Sequence, residues 1–240
     1  APAAHAKGGK ARGPLSATCR LEDLFGEGGG EGPSPLLRYR SSGPGGRESV
    51  VAVWEVESEA DHVAVEHLLG GWPAGDKSKE CGMRYLLARE ESRDPSHPGG
   101  RPLGCLMASV GTDMIRSCLF NFPAPQEIAH LPPALGTELW GLQTPGGEGV
   151  PDRLNLSLAL LLGYCRFAAR KGIRYGLCVP RPRLLRRWEG AGVPMHQIAE
   201  RELICPPHAH DFEYYKASVP AYFLLDEVHA ALEQTVPNLL

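Results

Sequence analysis

The chain begins without a hydrophobic pattern and acquires one near residue 49. From Ser49, SVVAVWEV alternates β-branched and aromatic residues as a strand does. Glu57 to Leu69 then sets Ala60, Val63, Val65, Leu68 and Leu69 at helical spacing, with Gly70 and Gly71 as the stop. MRYLLARE (Met83–Glu90) and LGCLMASV (Leu103–Val110) are two apolar strands joined by the polar stretch ESRDPSHPGGRP, which predicts a hairpin with a flexible tip. Residues Met114 to Phe122 stay apolar, and Pro123, Pro125, Pro132 and Pro133 keep the next stretch from running as one helix. A further strand is expected over Thr137–Leu142.

The most legible segment runs from Asp152 to Val179. RLNLSLALLLGYCRFAARKG is apolar almost all round through Cys165, the pattern of a buried helix packed on a sheet, with Asn155 or Asp152 as its cap. Arg166, Arg170 and Lys171 complement the dipole in its last turns, and Gly172 offers a left-handed end. IRYGLCV (Ile173–Val179) follows as a strand. A helix beginning near Arg183 comes after Pro180 and Pro182, and Gly190 to Gly192 make a turn. The chain closes with the strand VPAYFLL and the amphipathic helix DEVHAALEQTV, for which Asp226 is the expected cap. Helices alternating with strands in this way define an α/β architecture.

Before residue 47 the composition changes. GEGGGEGPSP (Gly26–Pro35) and SSGPGG (Ser41–Gly46) carry too little apolar surface to offset the entropy of ordering them. Residues 1–46 are therefore expected to be a mobile Gly/Pro-rich tail, and residues 47–240 the folded domain. Lys7, Lys10, Arg12 and Arg20 lie in the first twenty residues without any acid, but no apolar stretch follows, so a secretory signal is not expected there. A disordered basic tail is preferred to a transit peptide, and a cytoplasmic location is expected.

Charge and cysteine usage narrow the classes further. A formal net charge of -3 over 240 residues excludes a strongly basic nucleic-acid coat and a polyacidic tail. No apolar run is long enough to span a bilayer, so no membrane role is expected. The 7 cysteines contain no CxxC pair and read as reduced thiols.

FAARKGIRYGLCVPRPRLLRRWEGAGVP (Phe167–Pro194) resembles the second half of the autoinducer synthases, which make acyl-homoserine lactones on an N-acetyltransferase-like (GNAT) fold. YLLAR from Tyr85, the string Gly104-Cys105-Leu106 and the string Glu138-Leu139-Trp140 fall where that family has its YLLA, G-C-x-R-L and E-L-S-R strands. The resemblance covers about residues 80 to 200. It implies a mixed central sheet flanked by helices, and transfer of an acyl group from a thioester to an amine. Met107 stands where the family has an arginine, and Trp140 and Gly141 where it has serine and arginine.

Such a transfer needs a group to remove the amine's proton, donors for the developing oxyanion, and a slot for the pantetheine arm. Glu138, at a strand end, is the expected base, acting directly or through a water; as plain structure it would be a hydrogen-bonded strand-end carboxylate. His196 or His210 offers a second candidate base near the acceptor, and His196 is the one assigned. Leu142, Gln143, Gly146, Gly147 and Arg153 are the expected cofactor-binding residues. Gln143 opens a glycine-rich strand-to-helix turn able to present N–H groups and a helix N-terminus to a pantetheine phosphate. That turn matches in part the Q-x-x-G-x-G loop of N-acetyltransferases, with Glu148 in place of the second glycine. The expected co-substrate is a coenzyme A or 4'-phosphopantetheine thioester, with S-adenosylmethionine as one acceptor the resemblance implies.

Three other features complete the chemistry. Arg166, Arg170, Lys171, Arg174, Arg181, Arg183, Arg186 and Arg187 form a basic run with no acid until Glu189, suited to an acidic carrier protein or to coenzyme A phosphates. With few interleaved aromatics, it does not predict a nucleic-acid partner. His208 and His210, in Cys205-Pro206-Pro207-His208-Ala209-His210-Asp211, would share a side of an extended segment, but no second cluster completes four ligands and no metal is expected. There is no GxSxG elbow, so direct transfer is preferred to an acyl-enzyme, and Met107, Met114, Leu142 and Leu160 are candidates to line an acyl tunnel. The chain thus reads as an acyltransferase taking its acyl group from an acyl-carrier protein or acyl-coenzyme A, the alternative being a non-catalytic protein of the same fold that recognises a thioester or a protein partner.

Overall fold

Leu37, Tyr39 and Ser41 point inward while Arg38, Arg40 and Ser42 point to solvent, and this alternation makes the first strand of the sheet, β1 (Leu37–Ser42). The computed structural model describes residues 34–42, 48–70, 83–91, 100–110, 125–145, 152–198 and 218–240. Within these the chain runs on through β2 (Glu48–Glu55), α1 (Glu59–Leu68), β3 (Met83–Glu90), β4 (Arg101–Val110), α2 (Gln126–Ala129), β5 (Gly136–Gln143) and α3 (Arg153–Arg170). It ends with β6 (Tyr175–Cys178), α4 (Pro182–Gly190), β7 (His196–Gln197), β8 (Ala221–Leu224) and α5 (Leu225–Thr235). The eight strands form one mixed sheet in the order β1-β2-β3-β4-β5-β6-β8-β7. Among them β5 and β6 pair in parallel, and the other neighbours are antiparallel.

β1 corrects the expected domain boundary, since the sheet begins ten residues before 47. Its alternation is only six residues long, lies between glycine- and proline-rich stretches and uses a serine as its third inward residue. What orders it lies outside the segment itself. β2 pairs along its length, and Leu240 N and Arg40 N bond to Arg38 O and Asn238 O, each at 3.0 Å. The C-terminal residues thereby cover an edge that would otherwise invite pairing with another chain.

The sheet buries its two faces differently. On one side α3 presents Leu156, Leu158, Leu160, Leu161, Leu162, Tyr164 and Phe167 to the sheet and to α5, and all are essentially buried. A helix enclosed by a sheet beneath and a second helix above has no wet face, which explains its nearly continuous apolar sequence. Arg166 Nη2 bonds Glu233 Oε1 at 2.8 Å, tying α3 to α5. On the other side α1 packs Val65 against Val56, Tyr85, Leu87, Cys105 and Met107, and an ion pair from Arg89 to Asp61 anchors it. Further along the same face, Ile128 of α2 meets Tyr175, Leu177 and Tyr222.

The helix ends bear out most of the sequence signals. Ser58 caps α1 through Asp61 N at 3.1 Å. Of the two candidate caps for α3 the structure selects Asp152, and Gly172 beyond its end has φ +70°. Asp226 is not the cap of α5: the helix starts at Leu225 without a side-chain cap, and Asp226 instead lies 3.6 Å from Arg174. The two-residue β7 has no legible pattern and exists because β8 is beside it.

Gly176 of β6 sits directly under the Phe223 ring, and a Cβ there would enter the ring. Gly176→Ala is expected to destabilise the fold by about 1–3 kcal/mol, the usual cost of an overpacked core. Urea unfolding checks this, and an unchanged midpoint would refute the close packing.

Candidate functional site

Glu138 is the third residue of β5, and the pleat decides where it points. Thr137 and Leu139 face α3: Thr137 Oγ1 donates to Ser109 O at 2.6 Å, and Leu139 joins the α3 core. Glu138 therefore projects to the α1 face, between the apolar cluster under α1 and the one under α2. It is 1% exposed, and its Oε2 has no hydrogen-bond partner among the described residues. Burial penalises the charged form and lifts its pKa from about 4.5 to about 8.

Two irregularities of β5 adjoin this residue. Parallel pairing with β6 ends at Leu139–Cys178, whereas pairing with β4 continues to Gln143–Cys105. Residues 140–143 thus have β4 on one side and no strand on the other among the described residues. Between Met107–Trp140 and Cys105–Gln143 the register also shifts, so that Gly141 and Leu142 together oppose Leu106. This is a β-bulge, which takes a residue out of the ladder and re-aims its neighbours. Gly141 adopts φ +49°, and a Cβ there would lie 2.9 Å from Met107 Cε. Met107 is itself buried against Val65 and Tyr85, so the position where the resembling family carries an arginine belongs here to the apolar cluster under α1.

Across the sheet the paired residues read Ser109, Glu138, Leu177, Tyr222, His196. Residues paired in register share a face, so both assigned catalytic residues look out on the same side. They are not together. Three strand spacings, about 14 Å, separate Glu138 from His196, with Leu177 and Tyr222 between them. His196 stacks on Tyr222 with ring centroids 4.9 Å apart, and its Nε2 is 3.3 Å from Glu227 Oε2. The two groups cannot act on one proton.

The expected cofactor residues are only partly gathered. Leu142 is half-buried and packs toward the α3 core, Gln143 is exposed at the end of β5, and Arg153 is the exposed first residue of α3. Gly146, Gly147 and Glu148 lie outside the described residues. At the start of α3, Asp152 already accepts from Leu154 N at 2.8 Å and Asn155 N at 3.1 Å. The protein's own carboxylate thus occupies donors that an incoming phosphate would use. Met107 and Leu160 sit on opposite sides of the sheet, so they do not line one tunnel; Met114 is outside the described residues.

The basic run divides. Arg166 and Arg174 are paired with Glu233 and Asp226, while Arg183, Arg186 and Arg187 are exposed on the outer side of α4 and make no ion pair among the described residues. Leu185 and Trp188 fasten the inner side of that helix. Cys105, Cys165 and Cys178 are buried free thiols, and burial pushes Cys105 and Cys178 up to about 12, which makes them poor nucleophiles at neutral pH. Cys205, His208, His210 and Asp211 lie outside the described residues. Among the described residues no group of three or more His, Cys, Asp or Glu is placed to hold a metal, and no helix is long and apolar enough to cross a membrane.

Ser109, in register beside Glu138, is a residue that sequence reasoning passed over. It is the only hydroxyl in the apolar run LGCLMASV, fully buried, and its Oγ has no partner among the described residues. A lone polar side chain inside an inward-facing strand was the available signal.

A mixed sheet in which the bulged strand β5 pairs in parallel with β6 only as far as Leu139–Cys178 and is followed by a long buried helix is the N-acetyltransferase-type α/β fold. The acyl-homoserine-lactone (AHL) synthase LasI shares it, with TM-score 0.51, 16% identity, and 78% of this chain and 97% of that chain covered. The apo form of TofI is also similar, with TM-score 0.45, 17% identity, and coverage of 76% and 95%. A putative N-acetyltransferase from Lactobacillus plantarum aligns with TM-score 0.41, 13% identity, and coverage of 73% and 98%. No family model and no curated protein sequence matches the chain.

Proposed function

We propose that the protein is an N-acyltransferase that moves an acyl group from a coenzyme A or carrier-protein thioester to a small amine. Glu138 carries this reading: a fully buried carboxyl without a partner for Oε2, its pKa lifted into the range useful for a base at neutral to mildly alkaline pH. A structural carboxylate would be hydrogen-bonded, as buried polar groups nearly always are. The fold shared with the AHL synthase LasI supports the same class of chemistry.

In this reading the edge of β5 beyond Leu139, which has no strand beside it among the described residues, would hold an extended pantetheine arm by strand-like bonds, and backbone N–H groups of the bulge at Gly141–Leu142 would serve the thioester oxygen as it develops charge. The amine nitrogen attacks the carbonyl carbon, the N–C bond forms and the C–S bond breaks. Glu138 takes the proton from nitrogen, and the leaving thiolate recovers one. Arg183, Arg186 and Arg187 provide the positive surface for an acidic carrier protein or for coenzyme A phosphates. S-adenosylmethionine is one acceptor to test, and the location we propose is the cytoplasm.

A second reading, a non-catalytic protein of the same fold, is favoured by Asp152 filling the start of α3 and by Met107 closing the bulge. Mass spectrometry of the purified protein with acyl-coenzyme A and acyl-carrier-protein donors, and with S-adenosylmethionine, amino acids and polyamines as acceptors, separates the two. An acylated amine with released thiol is the expected result. Donor bound with no product from any pairing would establish the second reading.

A further inference from the structure

Ser109 and Glu138 are paired residues on adjacent antiparallel strands, so their side chains rise from the same face with Cα atoms about 4.5–5.5 Å apart. Both side chains are buried, at 0% and 1% exposure, and Ser109 Oγ and Glu138 Oε2 each lack a hydrogen-bond partner among the described residues. Leaving such groups unpaired costs about 1–3 kcal/mol each. Tyr39, Tyr164 and Trp188 each carry one such atom as well, but Ser109 and Glu138 face each other in register on adjacent strands, and that juxtaposition points to a guest that bonds to both. The backbone around them is already committed, since Thr137 Oγ1 fills the Ser109 carbonyl and the two residues sit in the ladder of the sheet. Only the side-chain oxygens remain, and apolar Met107 and Leu177 lie along and across the strands from them.

A hydroxyl acceptor next to a carboxyl acceptor asks for a donor with two hydrogens on one atom. Resting on the acyltransferase reading, we propose that Ser109 binds the attacking nitrogen and selects primary amines. Ser109 Oγ accepts one N–H while the other hydrogen faces Glu138. When the N–C bond forms and the C–S bond breaks, Glu138 takes its proton and later returns it to the leaving thiolate. The hydrogen held by Ser109 stays on nitrogen and becomes the amide N–H. A neutral secondary amine, the form able to attack, has only one hydrogen and leaves one of the two oxygens unfilled.

The test uses 2,2,2-trifluoroethylamine and its N-methyl analogue as probes, weakly basic amines that are neutral at about pH 9, where Glu138 is ionised, with binding to the full chain measured by ligand-observed NMR titration. Wild type is expected to bind trifluoroethylamine about tenfold more tightly than its N-methyl analogue. Ser109→Ala loses that preference, and Ser109→Thr restores it. Because the lost hydroxyl is unpaired in the empty protein, Ser109→Ala is expected to keep or raise the melting temperature, whereas a purely structural serine would lower it and leave the preference intact. If Ser109→Ala does not fold, Ser109→Cys, which keeps the volume and weakens the bond, makes the same comparison. Retained preference in the variant, or no binding of trifluoroethylamine to wild type, overturns the assignment. Adding a thioester donor to the same samples scores acyl transfer separately: product formed with amine preference independent of Ser109 removes this inference alone, and absence of product bears on the acyltransferase reading alone.

Discussion

Glu138→Gln is expected to lower kcat/KM for acyl transfer by about 10²–10⁴-fold, the range supplied by a positioned general base. The amide keeps the size and one acceptor oxygen but cannot take a proton, so a fold-preserving loss isolates the proton transfer. Wild-type kcat/KM should rise tenfold per pH unit and level off near pH 8, because only the ionised carboxyl is a base and burial places its pKa there. Glu138→Asp moves the carboxyl back by one methylene and should retain a residual rate with the same kind of pH profile. A glutamine variant with wild-type turnover would remove Glu138 from the chemistry, whatever the fold.

The second large effect is on stability and has the opposite sign. Glu138 titrates near pH 4.5 in the unfolded chain and near 8 when folded, so between those values the folded state holds the proton that the unfolded state has lost. Unfolding free energy then falls as pH rises across this window, by about 1.4 kcal/mol per unit, and by several kcal/mol in total. The stabilising share is complete below pH 4.5 and gone above 8. Glu138→Gln carries no titrating group, so it should be the more stable protein at pH 9 and lose this slope. Urea unfolding of both proteins from pH 5 to 9 measures the difference, and parallel curves would show that Glu138 is not held in the environment described. Loss of activity together with a gain of stability is the signature of a residue kept for function against the interest of the fold.

Periodicity carried much of the architecture. SVVAVWEV, the 83–110 hairpin strands, Thr137–Leu142 and the long helix before Ile173 could be read directly, because each has enough residues of one period to outweigh local composition. β1 and β7 could not: six residues ending on serines and two residues near a proline contain too little pattern, and neighbours outside each segment order them, β2 and the C-terminal residues for β1 and β8 for β7. Asp226 resembled a cap because an acid before an apolar run usually is one, but β8 runs straight into α5 and leaves no free turn for it to close.

For the site, the sequence by itself determined the identities: a carboxyl at Glu138 in an otherwise apolar strand, a glycine at 141, the arginines of α4, and a methionine where the resembling family has a guanidinium. Only the tertiary structure decided their relations. Register set Ser109 beside Glu138 and held His196 three strands away on the same face. The end of β6 pairing left the rest of β5 without a second strand among the described residues, and the two-for-one register at Leu106 made the bulge. Asp152 turned from a plausible cap into the group that occupies the start of α3. The physical reason is the same throughout: composition specifies what a side chain can do chemically, whereas burial, orphaned hydrogen bonds and pKa are set by neighbours that the chain brings in from other strands.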